Sequence, residues 1–150
     1  MEYFSEFGYA GLFIAAFLAA TILPLGSEVV LIALLISGLP ALPLVLVATA
    51  GNVLGSLTNY SLGYWASLDL IKRWLKLSES EFLRAKQRFT RYGQLSLLFA
   101  WIPIIGDPLT LIAGILRIKL RWFILLMGTG KLLRYVVVTF TVLQLDAALT

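Results

Sequence analysis

Four stretches of the chain are almost free of charge: residues 10–38, 41–66, 93–116 and 122–145. Residues 41–66 carry none at all. As a helix they would extend ~39 Å at ~1.5 Å per residue, enough to cross ~30 Å of hydrocarbon with tilt. Residues 122–145 form a second run of this kind, broken only by Lys131 and Arg134. Both are predicted to be spanning helices. The other two runs are each interrupted near the middle by proline, glycine and an acid, in Leu23-Pro24-Leu25-Gly26-Ser27-Glu28 and in Ile102-Pro103-Ile104-Ile105-Gly106-Asp107-Pro108. Proline breaks the helical ladder and pushes the residue before it out of the α region. The arm from Gly93 to Ile102 would reach only ~15 Å as helix, too short to span. A re-entrant hairpin with Pro24 and Gly26, or Pro103, Gly106 and Pro108, at its tip fits this pattern. A kinked spanning helix is the alternative for each run.

Sliding the chain against itself by 79 residues superimposes its rare positions. Pro24 falls on Pro103, Glu28 on Asp107, Gly51 on Gly130, Asn52 on Lys131 and Gly55 on Arg134. Each half then reads as one hairpin followed by one spanning helix. A hairpin makes no net crossing and a helix makes one, so the halves must be oppositely oriented. That is the inverted-repeat plan of secondary transporters, whose sites lie at the repeat interface near the midplane. The expected fold is all-α and integral to the membrane. It is a single polytopic domain over 1–150, with repeat one at about 10–66 and repeat two at about 93–145. Between them lies the polar connection 67–92, where Ser78-Glu79-Ser80-Glu81 has the capping-box pattern. Phe82, Leu83, Phe89 and Tyr92 recur there among basic residues, as in an amphipathic surface helix or a solvated linker helix.

Composition agrees. The 150 residues are 60% hydrophobic and only 13% charged, against roughly 25% in soluble domains. The mean hydropathy is +0.93. A soluble globular enzyme and a disordered chain are excluded. The chain has neither histidine nor cysteine. This removes zinc sites of the usual kind, haem, iron–sulfur clusters, Ser-His-Asp chemistry and disulfides. No metal and no cofactor are expected.

All 12 basic residues lie between Lys72 and Arg134, and Glu2, Glu6 and Glu28 are the only charges up to Leu68. A basic patch between membrane segments reads as positive-inside orientation rather than nucleic-acid binding. The loop 67–92 is therefore expected to be cytoplasmic, with both termini periplasmic. The apolar run from Ala10 has no basic residue before it, so the first segment is expected to be retained rather than cleaved.

Four ionisable residues fall inside apolar runs: Glu28, Asp107, Lys131 and Arg134. Each costs roughly 2.5–3.5 kcal/mol at the bilayer centre unless paired or hydrated. Lys131 and Arg134 share one helix face, and the hairpin tips bring the two acids to similar depth. The four either pair to be tolerated or form a hydrated polar site. In the second case the cations, with helix N-termini aimed at them, suit a phosphate headgroup. Glu28 and Asp107 would bind and release protons. Asn52 and Asn59, one face of helix 41–66, line a path or join helices. Gly51 and Gly55 have the spacing of close helix packing. Trp65, Trp74 and Trp122 read as interface anchors. Trp101 beside the second tip walls the site or fills space.

These stretches resemble the DedA family, also called the VTT or SNARE-associated domain family, and in particular its small YqaA-like branch. The resemblance rests on Pro24-Leu25-Gly26-Ser27-Glu28-Val29-Val30-Leu31, Gly51-Asn52-Val53-Leu54-Gly55, Trp101-Ile102-Pro103-Ile104-Ile105-Gly106-Asp107 and Gly130-Lys131-Leu132-Leu133-Arg134-Tyr135. It implies an inner-membrane protein with two opposed re-entrant hairpins. It also implies proton-motive-force-linked transbilayer movement of polyprenyl phosphates or phospholipids. The family's membrane acids fall on Glu28 and Asp107. The commoner pattern of the family has arginines three residues either side of the second-hairpin proline. Here Ala100 and Gly106 stand there, which leaves Lys131 and Arg134 as the nearest phosphate ligands.

The leading expectation is a lipid flippase or scramblase, with substrate contacts at Lys131, Arg134, Asn52 and Trp101 and proton coupling at Glu28 and Asp107. The alternatives are an ion or small-solute transporter using the same charges, and a non-transporting assembly factor. Membrane phosphatases commonly use histidine, so enzymatic activity is not expected. Two hairpins in so small a core expose polar backbone, and this predicts a homodimer or larger oligomer.

Overall fold

The computed structural model describes residues 2–21, 26–66 and 106–150 throughout, together with isolated positions between 69 and 98. Its elements are helices: α1 (Glu2–Thr21), α2 (Ser27–Ile36), α3 (Ala41–Trp65), α4 (Gly106–Ile115) and α5 (Leu120–Leu149). α3 and α5 are long and apolar enough to cross a membrane. Pro43 lies in the first turn of α3, where a missing N–H has no intrahelical partner to lose. α2 and α4 have 10 residues each. Both are too short to span, at ~15 Å.

The expected boundaries shift in two places. α1 begins at Glu2 rather than near residue 10, so the first helix has 20 residues. Acids in an opening turn are favoured by the helix dipole, which lets the polar start join the helix. α5 runs from Leu120 to Leu149 rather than 122–145. Pro24, Trp101 and Pro103 lie outside the described residues, as does most of the linker.

The 79-residue period recurs in the elements. α2 starts at Ser27 and α4 at Gly106; α3 starts at Ala41 and α5 at Leu120. The helix ends repeat as well. After α2, the Gly38 and Leu39 N–H groups donate to Leu35 and Leu34 oxygens at 3.0 and 3.2 Å. After α4, Arg117 and Ile118 donate to Gly114 and Ala113 at 3.0 and 3.1 Å. Both are Schellman ends, with the left-handed residue at φ +89° (Gly38) and φ 52° (Arg117). Glycine takes that conformation freely, whereas a side chain there costs ~1–2 kcal/mol. Gly38→Ala should therefore lower stability by about 1 kcal/mol. Thermal unfolding in detergent measures this, and an unchanged midpoint would contradict the left-handed turn.

The chain divides into two compact units. The first is Met1–Gly55 with Lys131–Thr150, and the second is Ser56–Gly130. In the first, α2 runs back along α1. Leu34 lies against Gly8, while Ser27, Asn52 and the Ala16 carbonyl meet around Tyr135. Its core holds Leu12, Ala16, Leu31, Leu44, Ala48 and Tyr135. α3 approaches α1 so closely that a Cβ at Gly51 would stand 2.5 Å from the Phe13 oxygen, and one at Gly55 2.5 Å from that of Phe17. This is the small-residue packing expected of Gly51 and Gly55. In the second unit, α3 and α4 touch through Gly63 against the Leu111 carbonyl and Gly114 against that of Tyr60. Phe123 of α5 stacks on Tyr60 with ring centroids 4.6 Å apart.

Candidate functional site

A polar cluster forms inside the first unit, where apolar side chains would otherwise pack. Three elements supply it: Ser27 and Glu28 from the first turn of α2, Asn52 from α3, and Lys131, Arg134 and Tyr135 from α5. Asn52 and Lys131 are each the twelfth residue of their helix. They sit ~16 Å along it, close to half of a ~30 Å hydrocarbon layer.

Lys131 is 3% exposed and Asn52 4%. The Lys131 ammonium donates to Asn52 Oδ1. The Asn52 amide nitrogen donates to the Ala16 carbonyl at 3.1 Å and to the Tyr135 hydroxyl at 3.0 Å. That hydroxyl is 2.9 Å from Ser27 Oγ, and Ser27 reaches Glu28 Oε2 at 3.4 Å. Glu28 Oε1 forms an ion pair with the Arg134 guanidinium. One connected network thus joins a buried ammonium to a partly buried ion pair through two hydroxyls and an amide. Buried charge is tolerated only when it is partnered in this way.

The structure brings Lys131, Arg134, Asn52 and Glu28 together in this network. The sequence reading missed Tyr135 and Ser27, the links between the two pairs. Their signal was adjacency: Tyr135 follows Arg134 and is four residues past Lys131, and Ser27 precedes Glu28. Asn59 falls elsewhere. It donates to Thr110 Oγ1 at 3.3 Å in the second unit, joining α3 to α4. Gly26 precedes α2, and Gly106, Asp107 and Pro108 open α4. The side chains of Asp107 and Pro108 lie outside the described set. Trp65 ends α3 and is 82% exposed; Trp122 is 44% exposed in the first turn of α5.

Two helices long and apolar enough to cross a membrane, with a charge cluster inside one unit, fit a helical membrane protein. The VTT domain model matches residues 4–144, and the chain belongs to that family, the DedA family. It is 44% identical over 134 residues to Inner membrane protein YqaA of Escherichia coli K12, covering 89% of each chain. It is 30% identical over 142 residues to Undecaprenyl phosphate transporter A of Staphylococcus aureus, covering 85% of this chain and 70% of that one. An Alkaline phosphatase-like protein of Lactococcus lactis subsp. cremoris is 27% identical over 146 residues, covering 89% and 68%. No solved structure matches.

Proposed function

We propose that the protein moves a phosphate-bearing lipid, a polyprenyl phosphate or a phospholipid, across the bacterial inner membrane as a proton-coupled flippase or scramblase. The observation that carries this reading is the joining of Lys131 to Asn52, and of Arg134 to Glu28, in one connected, largely buried network. A phosphate headgroup satisfies an ammonium and a guanidinium together, the guanidinium through a bidentate fork. Phosphate and the Glu28 carboxylate compete for Arg134. When phosphate takes the guanidinium, Glu28 is released and accepts a proton from water. When phosphate leaves, Glu28 returns the proton and pairs with Arg134 again. Proton and lipid movement are coupled by that exchange, with Asp107 as the corresponding acid of the second repeat.

The inverted-repeat arrangement is supported by the Asn52–Lys131 hydrogen bond, whose partners are 79 residues apart. Repeat-equivalent positions meet where they lie at a two-fold axis relating α3 and α5. The relative named as an undecaprenyl phosphate transporter supports the substrate class. Positive-inside placement puts residues 67–92 in the cytoplasm and both termini in the periplasm. The reading is transport rather than catalysis.

Purified protein in sealed liposomes, with a polyprenyl phosphate or a phospholipid as the reporter, tests this. Wild type is expected to accelerate movement over empty liposomes. Lys131→Gln should slow it at least about tenfold, a loss of ~1.4 kcal/mol or more of headgroup binding. Glu28→Gln should abolish the response to a pH gradient. No acceleration by wild type would remove the lipid reading. Ion leak in place of lipid movement would favour a solute transporter. Variants that lose stability without losing rate would favour an assembly role.

A further inference from the structure

The second unit has a cleft of about 410 Å³ where the end of α3 meets the turn between α4 and α5. Its lining includes Tyr60, Tyr64, Trp65, Arg117, Lys119 and Leu120. None of these belongs to the Lys131 network. The rings form a ladder, with Tyr60 to Tyr64 at 6.1 Å and Tyr64 to Trp65 at 5.4 Å. The Arg117 guanidinium lies over Tyr64, 4.7 Å from its centroid. The Tyr60 hydroxyl donates to the Ile118 carbonyl and holds the turn against α3. Among the described residues no carboxylate pairs with Arg117 or Lys119.

Arg117 occupies a left-handed turn that Gly38 forms without strain in the first unit. Its backbone cost is unexplained by the turn itself, and such outliers point to function. What the arginine adds is a cation fixed on an aromatic wall beside a second cation, Lys119. The cleft opens at the end of a spanning helix next to Trp65, the depth at which amphipathic rings meet lipid headgroups. Leu120 adds an apolar side chain to the lining. A guanidinium fork and an ammonium suit a phosphate, and they repel the cationic group of a zwitterionic lipid.

We infer that this cleft binds the headgroup of an anionic phospholipid as a resident lipid. The inference does not depend on transport. It is tested with Trp65 as the lone tryptophan, after Trp74→Phe, Trp101→Phe and Trp122→Phe. Trp65 fluorescence is followed in bilayers containing dibrominated phosphatidylglycerol or dibrominated phosphatidylcholine. Phosphatidylglycerol should quench at about fivefold lower mole fraction, as expected for cations near a lipid surface. Adding Arg117→Gln with Lys119→Gln should erase that preference. Equal quenching by the two lipids, or a preference that survives the double substitution, overturns the inference. Abolition of the preference by millimolar inorganic phosphate would assign the cations to a soluble anion and overturn it as well. Native mass spectrometry supplies a second readout without removing tryptophans. Wild type should retain bound anionic phospholipid, and Arg117→Gly, which leaves the turn easy to form, should lose it. Equal retention by both contradicts the proposal.

Discussion

Glu28→Ala is expected to destabilise the protein by about 3–5 kcal/mol, and the double variant Glu28→Ala with Arg134→Leu by considerably less. Glu28 and Arg134 are each 19% exposed and form an ion pair. Removing the acid alone takes the facing carboxylate from the guanidinium in a poorly hydrated place, and that penalty dominates. Removing both leaves an apolar gap that leucine partly fills. The double-mutant cycle should give a coupling of at least about 2 kcal/mol, well outside the few tenths seen for independent sites. Reversible unfolding in mixed detergent micelles measures it. Additive effects would mean that the pair contributes nothing beyond its separate side chains. The same variants separate tolerance from function. If the pair exists to bind phosphate and exchange a proton, the folded double variant should carry no lipid.

Asn52→Leu is expected to cost about 3 kcal/mol, and adding Lys131→Met should recover much of it. Asn52 accepts from Lys131 and donates to Ala16 and Tyr135. Leucine fills similar space but offers the ammonium no acceptor, in a position only 3% exposed. Methionine in place of Lys131 removes the charge and keeps the stem. Recovery of the unfolding midpoint in the double variant is the expected result. A double variant as unstable as Asn52→Leu alone would show that the amide acts through Ala16 and Tyr135 rather than through Lys131. Restored stability without restored lipid movement would place the Asn52–Lys131 pair in transport.

Much of the fold is legible because the signals are local. The long apolar runs mark α3 and α5 by length alone. The 79-residue offset is readable from prolines, glycines and acids. Gly51 and Gly55 declare close packing because glycine spacing on a helix has few other uses. The start of α1 at Glu2 is not legible, because the polarity of Glu2 and Glu6 masks the apolar pattern, whereas a helix N-terminus accommodates acids. The left-handed turn at Arg117 carries no sequence mark, since arginine seldom takes that conformation.

By itself, the sequence determined that the chain is helical and embedded in a membrane. It also placed charges where hydrocarbon would otherwise be, because burial cost and helix period depend only on residue type and spacing. Tertiary structure decided which charge meets which. Asn52 and Asn59 lie on one helix face, yet Asn52 holds Lys131 in the first unit and Asn59 holds Thr110 in the second. Tyr135 became the centre of the network because α1, α2 and α3 converge on it. Partner choice among buried polar groups follows the crossing of helices distant in sequence, and only the packed chain sets that crossing.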